Sequence, residues 1–402
     1  MLKADQFVNL SGREGEAPAE PPARERLGPK LAAQTEPLPL SRTYFPGRPS
    51  AQLCFAWIVA CGMLVAAGDR LKASAEVPPP PPRAERVPLQ RFAYDFAAMG
   101  MKYQIVVYGP DVTTVEPAML AAEARVRQLD RIMSDYHTES ELSKLCDNSG
   151  LGQPVKLSAD LFTVLEHAQQ ISRETEGAFD VTVGPVIQLW RTARRSKKLP
   201  PADLLEQART RVGYATLKLN ELDQTAELTR EGIAIDLGGI AAGYACDEVL
   251  KILRSHGLPR ALIDASGDLL AGDPPPGRDG WRVAVAGVQG QATDEAQTIT
   301  IANAAVTTSG DARQFVEIDG VRYSHIVNPK TGLGLTRRCS TTVIAPTGWQ
   351  ADAYATAANV LGSEAGIRWI DLHSGCSALI IEIRDGQEVR TVSSRYPTPQ
   401  RP

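Results

Sequence analysis

Small side chains fill a turn between an apolar run and a helix, and this turn limits how the chain can fold more than any other stretch. Residues 233–247 read Ile-Ala-Ile-Asp-Leu-Gly-Gly-Ile-Ala-Ala-Gly-Tyr-Ala-Cys-Asp. The pattern predicts a short strand that ends at Asp236, a Gly-Gly turn, and a helix to about His256 that Gly257 ends. Because no side chain in the turn is larger than Ile, another backbone or a phosphate can approach it closely.

The start of this predicted helix suits an anion, but the neighbouring Asp236 does not. Free N–H groups and the positive end of the helix dipole favour negative charge there. A carboxylate beside a phosphate needs a cation, or a sugar or base N–H, between the two. The stretch therefore indicates a nucleotide site with a metal, although an ordinary strand-to-helix connection has the same glycine pattern. It matches neither a Walker A loop nor the fingerprint G-x-G-x-x-G.

Length and charge narrow the class of protein. The 402 residues can form one large domain or two modest ones. The net charge is −4, so the chain lacks the excess of basic residues that is typical of nucleic-acid-binding proteins, and we expect no nucleic-acid partner. Strand and helix patterns follow one another without strict alternation, which favours an α+β fold over a doubly wound parallel sheet.

The first ninety residues predict an exported protein. Residues 1–52, rich in Pro, Glu, Ala and Arg, are expected to be a disordered extension or untranslated upstream sequence. Residues 53–67 are an unbroken apolar run, short for a membrane span and suited to a signal peptide. Four interpretations of this run stay open. It can be a lipoprotein signal that leaves Cys61 lipidated, or a signal peptide cleaved after Ala75. It can also be a retained membrane anchor or a buried core helix. Residues 68–90 form a Pro-rich linker.

The folded domain is predicted to span residues 91–393, with a tail at 394–402. Its cysteines lack the paired spacing of a metal site, so buried thiols are expected, although export would permit disulfides. These cysteines are Cys146, Cys246, Cys339 and Cys376.

Periodicity and turn residues predict the elements of this domain. Helices are expected at residues 116–133 and 351–360, and another helix is expected to begin after a Ser158 cap. A strand is expected before the Gly184-Pro185 break, and an exposed basic loop is expected at residues 191–198. The Asp319-Gly320 pair predicts a hairpin.

Asp352 and Thr356 lie four residues apart on the last Ala-rich helix and therefore share one face. A carboxylate and a hydroxyl are hard oxygen ligands, and Mg²⁺ takes one or two carboxylates together with phosphate oxygens and water. The alternative is a carboxylate that favours the helix dipole and a Thr that bonds back to a carbonyl.

His325 follows a hairpin strand and can be a general base or a core histidine. The segment Ser309-Gly310-Asp311 ends a predicted strand and can contact a phosphate or simply form a turn. Neither segment decides the function by itself.

Several stretches between residues 99 and 362 carry these small and polar residues in a fixed order. They are Met99-Gly100, Met133-Ser134-x-Tyr136, Gly177-Ala-Phe-Asp180, Asp236-Leu-Gly-Gly-Ile-Ala-x-Gly243-Tyr, Thr308-Ser-Gly-Asp311, Tyr323-Ser-His325-Ile-Val-x-Pro329 and Ala351-Asp352-Ala-x-Ala-Thr356. In order and spacing the chain resembles the FAD:protein FMN transferases of the ApbE type. The resemblance implies one catalytic domain with a T-fold-related α+β fold and a cleft for FAD and Mg²⁺.

The resemblance also implies a reaction and its residues. FMN would pass from FAD, the substrate, to a threonine hydroxyl of a target protein, and AMP would leave. The implied metal ligands are the side chains of Asp352 and Thr356 and the carbonyl of Gly239, and His325 is implied to activate the threonine. The implied FAD-lining positions are Met99, Tyr136, Ala178, Phe179, Asp180, Asp236, Ala242 and Ile326.

The chain departs from the family pattern at a few positions. Met101 stands where the family usually has Thr, and Ala242 stands where it commonly has Lys, which removes a positive charge near the nucleotide. Because the metal pair and His325 are intact, the catalytic interpretation holds.

Two alternatives to the transferase remain at this stage. In the first, water replaces the threonine and the protein is a Mg²⁺-dependent FAD pyrophosphatase. In the second, it is a non-catalytic FAD-binding lipoprotein. By analogy with the family, the expected partners are extracytoplasmic subunits of membrane redox complexes. The expected location is the periplasmic side of a bacterial inner membrane, with anchoring by a lipidated Cys61 or by the uncleaved apolar segment.

Overall fold

The computed structural model describes residues 88–285, 287–288, 298–312 and 314–397. The predicted extension, the apolar segment at 53–67, nearly all of the Pro-rich linker and the end of the tail lie outside these residues.

Fifteen strands and eight helices are defined within the described residues. The strands are β1 (Gln90–Ala98), β2 (Met101–Gly109), β3 (Val155–Lys156), β4 (Leu217–Asn220), β5 (Thr225–Leu228), β6 (Ala261–Ala265), β7 (Asp268–Ala271), β8 (Trp281–Ala284), β9 (Thr298–Ile301), β10 (Ala304–Gly310), β11 (Phe315–Ile318), β12 (Val321–Ser324), β13 (Cys339–Ala345), β14 (Ser377–Arg384) and β15 (Gln387–Val392). The helices are α1 (Val112–Met133), α2 (Glu141–Asp147), α3 (Ala159–Glu174), α4 (Gly184–Ser196), α5 (Ala202–Arg209), α6 (Ala241–Ser255), α7 (Gly348–Leu361) and α8 (Ser363–Asp371).

An eight-stranded antiparallel sheet forms the frame of the domain, in the order β1-β2-β6-β7-β10-β13-β14-β15. Its first hairpin turns at Met99 and Gly100, both with left-handed φ angles (54° and 68°), as a two-residue turn between twisted strands requires. The predicted hairpin is also present, with its turn at Asp319 and Gly320. Helices segregated beside an antiparallel sheet confirm the α+β class.

Both faces of the large sheet are covered. Alternate residues of β6 point to opposite sides: Ile263 packs into the core that α1, α6 and α7 share, and Leu262 packs into a second core. The second core contains Trp281 and Ile299 of the β8–β9 pair. Because the central strands are buried on both sides, they read as apolar runs rather than as alternating patterns.

Helices α6 and α7 touch at a glycine of each. A Cβ atom added to Gly243 would lie 2.2 Å from the carbonyl oxygen of Gly348, and one added to Gly348 would lie 2.3 Å from that of Gly243. The backbones can therefore approach only because both residues lack a side chain.

Each of these two helices is capped by a carboxylate from the other. Asp247 of α6 accepts the N–H groups of Gly348 (2.7 Å) and Trp349 (3.0 Å), at the start of α7. Asp352 of α7 accepts the N–H of Gly243 (3.2 Å) in the first turn of α6. Neither helix has a side-chain cap from its own N-cap residue, so these carboxylates satisfy N–H groups that the helices leave open.

The strand predicted before Asp236 is not formed. Only Ala234 makes an isolated parallel bridge, to Val183. The flanking N–H groups find separate partners, because Ile235 donates to the Cys146 sulfur (3.3 Å) and Asp236 donates to the Val181 carbonyl (2.8 Å). The apolar alternation therefore predicted the burial of this segment correctly, but its prediction of a hydrogen-bonded β-strand is wrong. The helix that follows ends as predicted, at a Gly257 with φ 75°.

The predicted basic loop at 191–198 is wrong as well, since α4 covers most of it. Pro185 stands in the first turn of this helix, where its missing N–H costs nothing, so the Gly-Pro pair begins a helix instead of interrupting the chain. Trp190 and Ala193 face the interior of the domain.

Helix α1 begins one turn before the predicted Glu116. The carboxylate of Asp111 accepts the N–H of Thr114 (2.8 Å) and caps the helix there, so Pro117 lies inside the helix rather than at its start. Helix α3 begins after Ser158 as predicted, with the Ser158 hydroxyl accepting the N–H of Leu161.

The four cysteines of the described residues are free thiols, and Cys246, Cys339 and Cys376 are buried, as predicted. Among the helices of the described part of the chain, none has the length and apolar character that a membrane crossing needs.

We expect Gly243→Ala to destabilise the domain by about 1–3 kcal/mol, because the new methyl group meets the Gly348 backbone, which cannot rotate away. Urea unfolding of the purified protein measures this loss. Gly287→Ala is the matched control, since a Cβ atom there meets no atom of the described residues within 4 Å. Equal midpoints for the two variants would contradict the close helix contact.

Candidate functional site

A cleft of about 310 Å³ lies where the turn before α6, the start of α4, α7 and the loop after β12 meet. Most of the residues singled out in the sequence line this one cleft. They are Tyr136, Ala178, Phe179, Asp180, Asp236, Gly239, His325, Ile326 and Thr356. Residues scattered over more than 200 positions of the chain are thus brought together, as one binding site requires.

Three of the selected residues lie outside the cleft wall. Met99 occupies the β1–β2 turn, where its N–H donates to Asp130 (3.1 Å). Ala242 is buried in the first turn of α6. Asp352 is buried, at 5% exposure, one helical turn before Thr356.

Gly239 and Thr356 face each other across the base of the cleft. A Cβ atom on Gly239 would lie 3.2 Å from the Thr356 hydroxyl oxygen, which is closer than an ordinary van der Waals contact. The hydroxyls of Thr356 and Ser309 are 3.2 Å apart, and the amide of Asn359 donates to the Ser309 carbonyl (3.1 Å). This chain of contacts fixes where the Thr356 oxygen lies.

The donor set at this point suits a hard cation. Thr356 provides a hydroxyl oxygen, Asp352 a carboxylate and Gly239 a backbone carbonyl, which are the kinds of oxygen ligand that Mg²⁺ takes. No group of three or more His, Cys, Asp or Glu side chains with metal-site geometry occurs in the described residues. The few oxygen donors present fit Mg²⁺, which retains water and phosphate oxygens, better than Zn²⁺.

Two acidic side chains, Asp352 and Asp268, lie close together in buried surroundings. Burial raises the pKa of Asp352 well above its usual value, and the nearby Asp268 carboxylate raises it further. Burial likewise raises the pKa of Asp268 to about 6, against a hydrogen bond from Thr307. A buried carboxylate without a cation is costly, so the protein alone favours the protonated acid here.

Asp180 organises the wall of the cleft from within. One carboxylate oxygen accepts the N–H (2.8 Å) and hydroxyl (2.7 Å) of Thr182, and the other accepts the N–H of Tyr214 (2.8 Å). The Thr182 hydroxyl in turn accepts the N–H of Gly213 (2.8 Å). These bonds hold the loop before α4 against the segment after α5.

His325 lies at the other side of the cleft with one ring nitrogen engaged. Its Nδ1 is 3.1 Å from the backbone carbonyl oxygen of Gln314. Because a carbonyl oxygen only accepts, Nδ1 carries the hydrogen in this contact and Nε2 keeps a lone pair. Burial lowers the pKa of His325, and Arg194 lowers it too, while the Gln314 carbonyl and Asp311 act in the opposite direction. A neutral imidazole with a basic Nε2 results.

The hairpin that carries His325 is fixed from two sides. The Trp190 indole of α4 donates to the Gly332 carbonyl (2.8 Å), and its ring lies 5.1 Å from that of Tyr323. Arg322 donates to the buried carboxylate of Asp311 (2.7 Å). Asp311 therefore supports the hairpin, while Ser309 and Gly310 form the end of β10.

Sequence reasoning missed the basic side of the cleft. Arg191 and Arg194 of α4 line it, and the Arg191 guanidinium pairs with Asp135 (2.6 Å) and Asp236 (2.9 Å). The signal was present, since Pro185 is typical of a first helical turn. A helix begun there would have placed the two arginines on one face.

Comparison with known proteins finds similarity to one family along most of the chain. The ApbE family model matches residues 99–380. The chain is 30% identical over 305 residues to the FAD:protein FMN transferase of Haemophilus influenzae, covering 74% of this chain and 88% of that protein. It is 30% identical over 350 residues to the FAD:protein FMN transferase of Vibrio cholerae, covering 85% and 98%.

Solved structures agree in fold. The flavin transferase ApbE from Vibrio cholerae superposes with a TM-score of 0.69 at 28% identity, covering 76% of this chain and 98% of that chain. The ApbE protein from Thermotoga maritima superposes with a TM-score of 0.68 at 27% identity, covering 76% and 97%. The expected ApbE-like fold is therefore confirmed for the described domain.

We expect Asp352→Asn to stabilise the metal-free protein at pH 7 and to abolish its stabilisation by Mg²⁺. The raised pKa of Asp352 means that the native state holds a proton which the unfolded chain releases near pH 4. The contribution of Asp352 to wild-type stability therefore falls as the pH rises above about 4, and the Asn variant avoids that loss.

Urea unfolding in EDTA and in Mg²⁺, between pH 3 and 8, measures both effects. The advantage of the variant should disappear toward pH 3. The exposed Asp203→Asn is the control, for which we expect a change below about 0.5 kcal/mol. A less stable Asp352→Asn protein in EDTA at pH 7 would refute the buried-charge interpretation.

Proposed function

Since this chain belongs to the ApbE family, we propose that it catalyses Mg²⁺-dependent transfer of FMN from FAD to a threonine hydroxyl of target proteins, with release of AMP. One observation carries the proposal: a single cleft holds the His325 imidazole and the oxygen donors at Gly239 and Thr356. A base on one side and a cation site on the other suit the transfer of a phosphoryl group to a hydroxyl.

The cleft walls suit a flat dinucleotide. Tyr136 and Phe179 contribute aromatic surface, and Ile326 and Ala178 contribute apolar surface. In the proposed complex these residues contact FAD, and Asp180 keeps their loop in place. Asp352, Thr356 and the Gly239 carbonyl would hold Mg²⁺, which neutralises charge on the pyrophosphate when bound.

His325 takes the proton in the proposed step. Nε2 of His325 accepts the hydrogen of the threonine hydroxyl as its oxygen bonds to the flavin-side phosphorus. The bond from that phosphorus to the bridging oxygen breaks, and AMP leaves with this oxygen. The Gln314 carbonyl keeps the proton of the neutral ring on Nδ1, so Nε2 is the atom that remains basic.

The partners and the location are part of the proposal. The acceptors would be extracytoplasmic subunits of membrane redox complexes that carry an exposed threonine. The apolar run at 53–67 supports export to the periplasmic side of a bacterial inner membrane, with the chain anchored there by a lipidated Cys61 or by the uncleaved run.

Incubation of the purified protein with FAD, Mg²⁺ and a threonine-containing acceptor peptide tests the proposal. We expect the peptide to gain FMN while AMP is released, and we expect loss of about 100-fold or more in rate for His325→Ala. Peptide mass and AMP release are followed together. The exposed His256→Ala at the end of α6 is the matched control and should act like wild type.

Other outcomes identify the alternatives. AMP and free FMN without a modified peptide would replace transfer by FAD pyrophosphatase activity. Bound FAD with no AMP in Mg²⁺ would show a non-catalytic FAD-binding protein.

The transfer rate should depend on the protonation of His325. Because burial lowers its pKa, we expect the rate to rise with pH through an apparent pKa below the usual value of about 6.5, and to stay level near neutrality. Below that pKa the imidazolium has no lone pair to accept the proton. A pH profile of initial rates at saturating FAD measures this, and an acid limb that persists in His325→Ala would assign it to another group.

A further inference from the structure

Arg191 lies on α4 and contacts two walls of the cleft that other elements form. Its guanidinium donates to the carboxylate of Asp135, after α1 (2.6 Å), and to that of Asp236, before α6 (2.9 Å). Its central carbon lies 4.4 Å from the ring centroid of Tyr136, within the range of a cation–π contact. One side chain therefore fixes three side chains of the cleft relative to one another.

These contacts are largely withdrawn from water. The side chains of Arg191, Asp135 and Asp236 are 16%, 24% and 15% exposed. Charge-assisted hydrogen bonds are stronger in such surroundings than on an open surface. The planar guanidinium can meet two carboxylates and a ring face at once, which a lysine ammonium cannot do.

Without Arg191 the same wall would carry two uncompensated carboxylates. Burial raises the pKa of Asp135, the Asp236 carboxylate raises it further, and Arg191 opposes both effects. The three groups together carry a charge of −1 with the guanidinium and −2 without it. The dinucleotide that the proposed function brings to this cleft is itself an anion, so this difference acts directly on its binding.

We propose that Arg191 is the positioning residue that prepares this cleft for the flavin dinucleotide. It orients Tyr136 and Asp236 and offsets the negative charge of Asp135 and Asp236. Tyr136 is 60% exposed as a residue while its ring contacts the guanidinium, so a planar ring of the ligand can stack against it. The inference rests on the proposed function, because FAD is the ligand it names.

The test compares Arg191→Met, Arg191→Lys, Asp135→Asn and the double variant Arg191→Met/Asp135→Asn. Arg127→Met is the control, because Arg127 pairs with Glu123 on the exposed side of α1. Quenching of flavin fluorescence gives the dissociation constant of FAD at several salt concentrations, and initial rates of AMP release give kcat and KM. Thermal unfolding verifies that each variant is folded.

We expect Arg191→Met to weaken FAD binding by about tenfold to a hundredfold, with a similar rise in KM and a smaller change in kcat. Arg191→Lys should fall between wild type and Arg191→Met. Asp135→Asn should recover part of the loss in the Arg191→Met background, because it removes one of the two uncompensated negative charges. High salt should narrow the same gap. Arg127→Met should bind FAD as wild type does.

A folded Arg191→Met protein that binds FAD as wild type does would overturn the inference and leave the proposed function standing. If Arg191→Met does not fold, Arg191→Lys with unchanged affinity has the same consequence. A loss that Asp135→Asn does not recover would overturn the charge argument. Wild-type protein that binds FAD but forms no product would overturn the proposed function alone, and wild-type protein that does not bind FAD would overturn both.

Discussion

Asp247 and Asp352 each cap the helix that carries the other, and the cleft depends on this exchange. The two bonds from Asp247 fix the start of α7, and the bond from Gly243 to Asp352 fixes the start of α6. Helix ends leave N–H groups without partners, and here the partners come from across the domain. The glycine contact between Gly243 and Gly348 is the steric condition for all three bonds.

The same exchange gives Asp352 two requirements that conflict. As a cap it must point to the first turn of α6, and as a proposed metal ligand it must remain available as a charged oxygen. Burial beside Asp268 makes the charged form unfavourable in the protein alone, and a bound cation reverses that preference. The stability of the core and the affinity for a cation are therefore linked through one carboxylate.

Charge is distributed unevenly around the cleft. The Asp236 carboxylate lines one wall and Asp352 is buried one helical turn from Thr356, whereas Arg191 and Arg194 approach from α4. Phosphoryl transfer needs negative phosphates, a cation and a neutral base to coexist within a few ångströms. The carboxylates and the arginines come from different elements, so groups of both signs of charge meet at one cleft.

The sequence by itself determined the class of fold, the family and the residues whose side chains can bind a ligand or take part in a reaction. Hairpin turns at Met99-Gly100 and Asp319-Gly320, the Ser158 cap and the buried face of α1 follow from local rules, because turn angles and helix periods are set by nearby residues. Only the tertiary structure decided which residues meet. The capping of α6 and α7 and the Arg191 bridge join positions about 45 to 109 residues apart, and no local pattern encodes such pairs. The segment before Asp236 shows the same limit, since its apolar alternation fixed what is buried, while its hydrogen-bond partners depended on where α4 and Cys146 came to lie.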